Sequence, residues 1–375
     1  MPPSIVSLGS TLEVVAGPHD RSWVPLVVPC SEVTVAAPAL APLDGEGPPL
    51  PAQRLPGPAL AFVLPAATQG QTRRYQVVDL PVPPEGATVT PGEGRYDFAV
   101  SGKPFTSYLV GAEHARPHCL PVYGPGGVEV TRSQPGDHVH HRSIYVAQGS
   151  INGYDNWSEE PGHARTVNRS CAETAEGPVC AQLLAENDWE TPEGRKLLAE
   201  TTRLTVYHLP GEARLMDWDI TWTAAYGGVF FGDTKEAGTL SVRVAESMRV
   251  DRGGRMVNGY GGVGEAECWG QPAPWVDYSG VSEGRHVGLA LFDHPANFRY
   301  PTPWHVRDYG LFTANCWGLH DFTGDWSVRG DYALPAGQSL HWTFRMYLHE
   351  GDEQSAQVGP RWLDFAYPPQ VTVLD

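Results

Sequence analysis

Short runs of alternating apolar and polar residues recur along most of the chain. Residues 214–223 are the clearest case, because an apolar side chain returns at every second position, and the stretches 197–208, 287–293 and 340–348 are similar. A period of two is typical of a β-strand with one buried face. No stretch longer than about a dozen residues shows a convincing 3.6-residue period. The pattern therefore predicts an all-β fold in which large antiparallel sheets pack face to face.

The first quarter of the chain differs in texture from the rest. Valine-rich stretches at 31–37 and 75–80 alternate with proline-rich turns, and a Gly/Pro-rich stretch follows at 81–94. We expect residues 1–92 to form a small N-terminal β-sandwich or an added β layer with a structural or docking role. We expect residues 93–375 to form the large β-sandwich domain that carries the functional site.

Charge and composition argue against several classes of function. The formal net charge is −17, and no block of Lys or Arg is present, so neither a nucleic-acid partner nor an anionic membrane surface is expected. No apolar run approaches the roughly 20 residues that span a bilayer, and no signal-peptide pattern opens the sequence.

The six cysteines are scattered without a CxxC pair. Cys171 and Cys180 are close enough in sequence to face each other across a hairpin, but the spacing does not demand it. Without an export signal, reduced thiols are the default. The chain is therefore expected in the cytoplasm.

The segment 136–160 is the richest in residues that can carry chemistry. On a strand, His138 and His140 would share one face and His141 would point to the other. A zinc ion would suit two histidines plus a distant carboxylate, so His138 and His140 are candidate metal ligands. Hydrogen-bonding or acid–base roles, and purely structural roles, stay open for the histidines. The same segment also contains Arg142, Asp155, Trp157 and Glu159.

Three further segments concentrate acids, aromatic residues and histidines. Residues 231–243 contain Asp233, Lys235 and Glu236, and a solvated hairpin end is an equally good interpretation of that group. Residues 258–280 form a glycine-rich loop, and long loops that display Trp and acids are typical binding elements. In residues 292–315, the strand 288–292 brings Asp293 and His294 to a loop rim, where ligand-facing residues usually lie. The residues of interest in the last two segments are Trp269, Trp275, Asp277, Tyr278, Asp293, His294, Asn297, Trp304, His305, Arg307 and Tyr309.

These residue types suit acid–base chemistry. A histidine with a pKa near 6.5 exchanges protons at neutral pH, and burial can tune a carboxyl toward that range. Glycoside cleavage requires two carboxyl groups beside the bond, or a base that abstracts a proton from the sugar. The sequence alone does not select the pair. No GxSxG motif, P-loop or GxGxxG after a strand is present, which weakens esterase and nucleotide-binding readings.

Five stretches of this chain resemble a known bacterial family. They are RPHCLPVYGPGGVEVTR, DHVHHRSIYVAQGSINGYDNW, FFGDTKEAG, WGQPAPWVDYSG and DHPANFRYPTPWHVRDYGLFTAN. In this order they resemble the uncharacterised family DUF6807, also called methane oxygenase PmoA-like. Val139 stands where we expect proline in that family. The resemblance implies a large β-sandwich similar to the galactose mutarotase-like supersandwich, and a role in carbohydrate use.

The leading hypothesis is therefore a carbohydrate-active enzyme, either a glycoside hydrolase or a lyase, that binds a saccharide in one groove. The expected catalytic residues are His141, His305, Asp155 and Asp293. The expected substrate-binding residues are His140, Arg142, Trp157, Glu236, Trp269, Trp275, Asp277, His294, Trp304 and Arg307.

Two alternatives stay open. One is a non-catalytic sugar-binding protein. The other is a soluble metal-dependent oxygenase that would use His138, His140 and a distant acid. No resident cofactor is expected, although a divalent metal stays open. The expected partner is a small saccharide or glycoside, and homo-oligomerisation stays open.

Overall fold

Strands make up nearly all of the regular structure. The computed structural model describes residues 5–80 and 85–374, apart from the side chains of residues 173 and 174. Strands β1 to β8 are Ile5–Val6, Thr11–Val15, Arg21–Pro29, Glu32–Val33, Pro38–Pro42, Leu50–Leu55, Ala59–Ala67 and Thr72–Asp79. Strands β9 to β17 are Ala87–Gly92, Arg95–Val100, Lys103–Leu109, His118–Val122, Ile144–Gln148, Arg165–Ala175, Cys180–Glu190, Lys196–Tyr207 and Arg214–Thr223. Strands β18 to β27 are Val229–Phe231, Ala237–Arg243, Arg255–Asn258, Trp275–Ser282, Arg285–Asp293, Trp304–Arg307, Leu311–Ala314, Tyr332–Leu334, Ser339–Glu350 and Gln370–Leu374.

The helices are short and lie in the connections between strands. Helices α1 to α3 are Gly264–Cys268, Leu319–Thr323 and Val358–Ala366. Single turns of 3-10 helix occupy Pro125–Gly127, Glu246–Met248 and Val250–Arg252. None of the helices in the described part of the chain has the length and apolar character needed to cross a bilayer.

The N-terminal region forms its own sheet. Within residues 5–80 and 85–374, this sheet has seven strands in the order β27, β2, β8, β5, β6, β7 and β3. Strand β2 alternates as the sequence predicts, with Leu12 and Val14 buried. These residues join Phe62 and Tyr75 in a separate hydrophobic core. The N-terminal layer is therefore held together by its own apolar contacts.

The boundary between the two parts differs from the expected one at residue 92. Strand β9, at Ala87–Gly92, pairs with β10 inside the large domain, and β27 returns from the C-terminus to pair with β2. The N-terminal sheet thus ends before residue 87 and includes the last strand of the chain. Residues 81–84 of the expected linker lie outside the described residues.

The large domain consists of two stacked sheets, and each has eight strands in the described part of the chain. Sheet I has the order β23, β24, β19, β13, β12, β11, β10 and β9. Sheet II has the order β14, β15, β16, β17, β26, β22, β21 and β20. Neighbouring strands in both sheets are antiparallel, as in β16 with β17 and β19 with β24. The prediction of an all-β antiparallel sandwich is confirmed.

One extensive core fills the space between the two sheets. Strand β17 turns Met216, Trp218, Ile220 and Trp222 toward this core, as the alternation predicts. Each such side chain contributes about 1.5 to 3 kcal/mol when it is fully buried. The alternate positions of β17 face outward and include Asp217, Asp219 and Thr221. The outer faces of sheets I and II are therefore where side chains are available for chemistry.

Candidate functional site

A row of buried polar side chains crosses the outer face of sheet I. Cross-strand pairing sets His118 opposite Tyr145, Tyr145 opposite Ser241, Ser241 opposite Thr313, and Thr313 opposite His305. All five residues are buried. Their neighbours along each strand point the other way, into the core. Because residues that face each other across antiparallel strands share one side of a sheet, this row forms the floor of the site.

The loop above this floor folds as consecutive turns. The amide of His138 donates to the carbonyl of Pro135 at 3.0 Å, and the amide of His141 donates to the carbonyl of His138 at 3.0 Å. The strand on which His141 would point away from its neighbours is therefore not formed, and that prediction is wrong. The ring centroids of His138, His140 and His141 lie only 4.6 to 5.8 Å apart.

Trp157 packs between the loop and the floor. Its ring centroid lies 5.8 Å from that of His141, 5.6 Å from that of Tyr145 and 6.4 Å from that of His305. Trp157 is 1% exposed, so it supports the imidazoles and offers no open face to a sugar. We use the name histidine cluster for His138, His140, His141, Tyr145, Trp157, His305 and Tyr309.

Asp155 shapes the turn that inserts this indole. Its Oδ1 accepts hydrogen bonds from the amides of Trp157 at 2.6 Å and Ser158 at 3.1 Å, and its Oδ2 accepts one from the Ser158 hydroxyl. A side chain that closes its own turn in this way is an Asx-type motif. Both carboxylate oxygens are thus engaged locally, which differs from the catalytic role that we expected for Asp155.

Two buried arginines bind one carboxylate beside the cluster. Glu159 accepts hydrogen bonds from the guanidinium groups of Arg142 and Arg116. Arg116 also donates to the carbonyls of Trp157 at 3.1 Å and His140 at 3.2 Å, which ties the two loops together. Burial would raise the pKa of Glu159, but the two guanidinium groups lower it below its ordinary value. This carboxylate is therefore held ionised.

Arg243 fixes the protonation of the most deeply placed imidazole. One guanidinium nitrogen lies 3.1 Å from Nδ1 of His141, and another donates to Asp137 at 2.7 Å. The guanidinium also covers the ring of Tyr309 at 4.7 Å. Because Arg can only donate, Nδ1 of His141 accepts and the proton of the neutral ring sits on Nε2. Burial and the neighbouring positive groups lower the pKa of His141 strongly.

Two more histidines of the cluster are held neutral. Burial, followed by the adjacent His138, lowers the pKa of His140 to about 4. Burial, followed by Arg307, lowers the pKa of His305 to about 3. Nδ1 of His305 lies 2.7 Å from the carbonyl of Lys235, so it carries the ring proton and Nε2 has a free lone pair. At neutral pH the imidazoles of His140, His141 and His305 are therefore uncharged.

The buried histidines make stability depend on pH. Burial lowers the pKa of both His118 and His305 from 6.5 to about 3. Between these values the unfolded chain binds more protons than the folded one, so the free energy of unfolding is fully present above about pH 6.5 and falls as the pH falls toward 3. We expect His305→Gln to reduce this slope by up to one proton, about 1.4 kcal/mol per pH unit.

Urea denaturation at about pH 7.5 and about pH 5 measures this difference. The matched control is His286→Gln, at an exposed position, for which the slope should equal that of the wild type. An unchanged slope in His305→Gln would contradict the burial argument.

Glu236 is the one acid beside the cluster without a protein partner. Its half-buried carboxyl makes no hydrogen bond or ion pair with any residue that the structure describes. Burial raises its pKa above the ordinary 4.5, although the charges of Lys235, Arg307 and His138 act to lower it.

The backbone of Glu236 packs directly on Gly149, where a Cβ would lie 2.4 Å from the Glu236 carbonyl oxygen. That position therefore requires glycine.

Besides Nδ1 of His138, which faces the Asp137 carboxylate at 3.2 Å, three buried polar atoms of the cluster lack partners among the described residues. They are the Tyr145 hydroxyl, Nε1 of Trp157 and Nε2 of His305. The ring contacts given above place Trp157 between the other two. Buried polar groups in native proteins are normally satisfied, so such a set indicates space for ordered water or for ligand hydroxyls. Together the three groups supply at least one donor and one acceptor.

The structure brings many of the residues singled out in the sequence into one place, while others lie elsewhere. His138, His140, His141, Arg142, Asp155, Trp157, Glu236 and His305 form or adjoin the cluster. Arg307 lies at its rim, where it pairs with Glu265 at 2.6 Å and covers the ring of Trp269 at 5.4 Å. Asp293, His294, Trp275, Asp277 and Trp304 do not reach it. The single groove expected from the sequence therefore needs correction.

Strand alternation and burial explain two of these exceptions. In β23 the residues His305 and Arg307 face outward, so Trp304 points into the core, where its Nε1 donates to the carbonyl of Ala273 at 2.9 Å. Asp293 is fully buried and accepts hydrogen bonds from Asn297 at 2.7 Å and from the amide of Thr302 at 2.9 Å. Burial raises its pKa to about 6. Asp293 thus anchors the loop that follows β22.

The remaining exceptions lie on the outer face of sheet II. Trp275 packs in a small apolar cluster with Phe292 and Phe365. His294 packs edge-on against Phe365 at 5.2 Å. Asp277 is buried and pairs with His349 at 2.7 Å. The full thickness of the sandwich therefore separates these three residues from the histidine cluster.

The buried Asp277–His349 pair leads to a stability prediction. Asp277→Ala leaves the His349 imidazole without its partner in a site where both side chains are at most 2% exposed, so we expect a loss of about 3 to 5 kcal/mol in the free energy of unfolding. The control is Glu212→Ala, which breaks an exposed pair with Arg285 and should cost less than about 1 kcal/mol. Equal costs for the two variants in urea denaturation would refute the prediction.

Several residues of the site were not selected from the sequence. Arg116 and Arg243 are buried and contact the cluster, and Tyr145 is one of its buried members. Arg243 ends a strand whose seven residues are all buried. A charged residue inside a buried run is a usable signal, because such a residue needs a partner. The pattern of residues along its strand does not mark Tyr145 as a residue of the site.

In the described part of the chain, no three or more His, Cys, Asp or Glu side chains are grouped so as to hold a metal ion. His138 and His140, the candidate ligands from the sequence, lie edge to face at a centroid separation of 5.8 Å. Nδ1 of His138 lies 3.2 Å from the Asp137 carboxylate.

Several solved proteins are similar in structure to this chain at low sequence identity. No curated protein matches the chain. A solved protein of glycosyl hydrolase family 38 from Enterococcus faecalis is similar at 9% identity and a TM-score of 0.45, covering 98% of this chain and 47% of that one. An α-mannosidase from the same species is similar at 10% identity and a TM-score of 0.43, covering 98% and 46%. The chain therefore spans about half the length of these two proteins.

A galactose mutarotase-related enzyme from Lactobacillus acidophilus is similar at 8% identity and a TM-score of 0.29, covering 71% of this chain and 98% of that one.

A sequence model of one protein family covers more of the chain than any single motif of the site. It matches residues 95–362, from β10 into α3, and so includes every residue of the histidine cluster. The chain belongs to the family of unknown function DUF6807.

Proposed function

We propose that the histidine cluster binds a saccharide and that the protein is an enzyme that cleaves a glycoside by proton transfer, as a lyase. The observation that carries the proposal is the unpartnered carboxyl of Glu236 beside the histidine cluster. Burial raises the pKa of this carboxyl, while the imidazole of His140 has a pKa of about 4. Neighbouring groups whose pKa values are shifted by their environments are typical of an acid and a base.

The state of the other carboxyls favours a lyase over a hydrolase. Hydrolysis uses two carboxyl groups that flank the bond. Near the cluster, Asp137 and Glu159 are paired with arginines, Asp155 closes its own turn, and Glu265 pairs with Arg307. Among the described residues around the cluster, Glu236 alone keeps a free carboxyl. Elimination needs only one acid and one base.

The proposed step assigns one role to each group. The unprotonated nitrogen of His140 removes a proton from a sugar carbon next to a carbonyl or carboxylate. The electron pair of that C–H bond forms a carbon–carbon double bond, and the glycosidic C–O bond breaks. The departing oxygen takes the bond's electrons and receives a proton from Glu236. The positive charges of Lys235 and Arg307 stabilise the anion that develops in between.

The character of the site supports a saccharide as the substrate. The unpaired Tyr145 hydroxyl, Trp157 Nε1 and His305 Nε2 supply donors and an acceptor without a net charge, as hydroxyl groups require. The half-buried ring of Tyr309, which stacks on His138 at 4.7 Å and is covered by the Arg243 guanidinium at 4.7 Å, lies beside them.

A substrate panel tests the proposal. Wild-type protein is assayed with disaccharides that contain a 4-linked uronic acid, from which elimination forms an unsaturated uronide. It is also assayed with p-nitrophenyl glycosides of the common hexoses and pentoses, from which hydrolysis releases p-nitrophenol. The proposal expects turnover with an unsaturated product that Glu236→Gln abolishes and the exposed Glu193→Gln preserves. Hydrolysis without unsaturation would overturn the lyase assignment. Binding of sugars without any turnover would favour the non-catalytic alternative.

A cytoplasmic location is the remaining part of the proposal. All six cysteines are free, and Cys171 and Cys180 lie opposite Ala185 and Tyr207 rather than each other. Free thiols persist in reducing compartments. Cell fractionation of the native producer tests this location, and recovery of the protein in an exported fraction would contradict it.

A further inference from the structure

A second cleft lies between the N-terminal sheet and the outer face of sheet II. Its volume is about 510 Å³, within the roughly 300 to 1,000 Å³ of small-molecule sites. One wall is apolar and includes Val27, Pro29, Leu55 and Pro56. The floor is polar and is built from strands β15, β16, β17 and β26. The two sheets of the large domain separate this cleft from the histidine cluster.

Specific contacts at the edges of the cleft hold it open. The amide nitrogen of Gln53 donates to the carbonyl of Cys180 at 2.9 Å, and its amide oxygen accepts from the backbone amides of Val179 and Cys180 at 3.0 and 2.9 Å. Arg21, which is buried, donates to Asp364 at 3.1 Å. The N-terminal sheet is thus fixed over sheet II by buried hydrogen bonds, so the cleft is preformed.

The floor contains a buried polar atom without a partner. Gln182 lines the cleft and is only 6% exposed. Its amide nitrogen donates to the Thr205 hydroxyl at 3.1 Å, but its Oε1 has no hydrogen-bond partner in the described part of the chain. An unsatisfied buried carbonyl oxygen costs about 1 to 3 kcal/mol. A ligand hydroxyl, or a water that holds its place, would satisfy it.

Two further groups of the floor can bind the same kind of ligand. Asp219 accepts a hydrogen bond from the Thr343 hydroxyl at 2.7 Å through Oδ1, which leaves Oδ2 as an acceptor. Nδ1 of His294 accepts from the amide of Ala296 at 3.1 Å, which leaves Nε2 as a donor. Both residues line the cleft.

The floor contains two residues of each charge, Arg203 and Arg345 with Asp217 and Asp219. Arg345 makes two hydrogen bonds to Asp217, at 2.6 and 2.7 Å, and its guanidinium covers the ring of Phe365 at 4.7 Å. A bidentate pair of this kind presents little net charge to a ligand. The cleft therefore offers hydrogen bonds on one side and an apolar wall on the other, which suits the hydroxyl groups and the C–H face of a sugar ring.

We infer that this cleft is a second binding site, for a neutral saccharide of one or two rings. The inference rests on the cleft alone and stands independently of the chemistry proposed for the histidine cluster. It also gives His294, which the sequence assigned to substrate binding, a place in a different site.

Titration calorimetry with glucose, galactose, mannose, xylose, cellobiose, maltose and lactose tests the inference. The protein is the full chain with His140→Ala and Glu236→Gln, which disable the proposed catalytic site. We expect at least one of these sugars to bind with one-to-one stoichiometry. Adding Val27→Trp, which fills the cleft from its exposed apolar wall, should weaken that binding at least tenfold. The matched control Val281→Trp, at an exposed position outside the cleft, should leave it unchanged.

Gln182→Met gives a second measurement that keeps side-chain volume and removes the acceptor, and melting temperatures verify that each variant is folded. It should weaken binding of the same sugar. Binding that is insensitive to both Val27→Trp and Gln182→Met would overturn the inference, as would the absence of binding for all seven sugars. Neither result would bear on turnover at the histidine cluster.

Discussion

Replacing Glu236 by Gln is expected to lower the turnover of the cleaved glycoside about 100- to 10,000-fold, the range that a positioned general acid contributes. The amide keeps the size of the side chain but has no proton to give to the departing oxygen. Because the carboxyl has no protein partner, its removal should leave stability nearly unchanged. The rate constant kcat on the best glycoside of the panel measures the effect, and urea denaturation verifies the stability.

The pH profile separates this role from a structural one. His140 must be neutral and Glu236 protonated, so activity should fall below about pH 4, near the pKa of His140, and fall again as the pH rises through the pKa of Glu236. Because the two groups can titrate as a coupled pair, the limbs belong to the site as a whole. Glu236→Gln should remove the alkaline limb, and Glu193→Gln should keep both limbs. Turnover of Glu236→Gln within tenfold of the wild type would contradict the assignment.

Replacing Glu159 by Ala is expected to cost about 3 to 5 kcal/mol of folding free energy, the usual loss when one partner of a buried ion pair is removed. The side chain of Arg116 is fully buried and that of Arg142 nearly so. Both would lose the carboxylate that offsets their charge. Because Arg116 also holds the loops of Trp157 and His140, the variant should disorder the cluster as well.

Two controls accompany this variant in urea denaturation. Glu159→Gln retains an oxygen acceptor and should be intermediate in stability. Glu13→Ala breaks a more exposed pair with Arg74 and should cost less than about 1 kcal/mol. If Glu159→Ala were no less stable than Glu13→Ala, the arginine pair would not be the support of the site that we describe.

The strands were predictable because their physics is local. In β17 every second residue is apolar, and these residues fill the core as the alternation requires. The prediction for the segment 136–142 was wrong because local strand alternation was applied there too. Its histidines were placed as on a strand, but backbone hydrogen bonds to Pro135 and His138 close it into turns, and those bonds depend on a loop that sheet I supports.

Which residues belong to the site depends on pairing between strands that are distant in sequence. No local pattern in the sequence reveals this pairing. His294 and His305 belong to one short segment, yet His294 lies on the outer face of sheet II and His305 on that of sheet I. The segment crosses from one sheet to the other between them. The importance of Glu236 was also hidden, because only the structure shows that the neighbouring acids are already paired.

The proposed chemistry requires Glu236 to be a free acid with an elevated pKa. Carbon-13 NMR of protein labelled at the glutamate carboxyl carbon measures this pKa, with the resonance assigned from Glu236→Gln. We predict a titration midpoint above the ordinary 4.5. A midpoint at or below 4.5 would mean that the carboxyl is ionised and paired, and it would contradict the proposed acid.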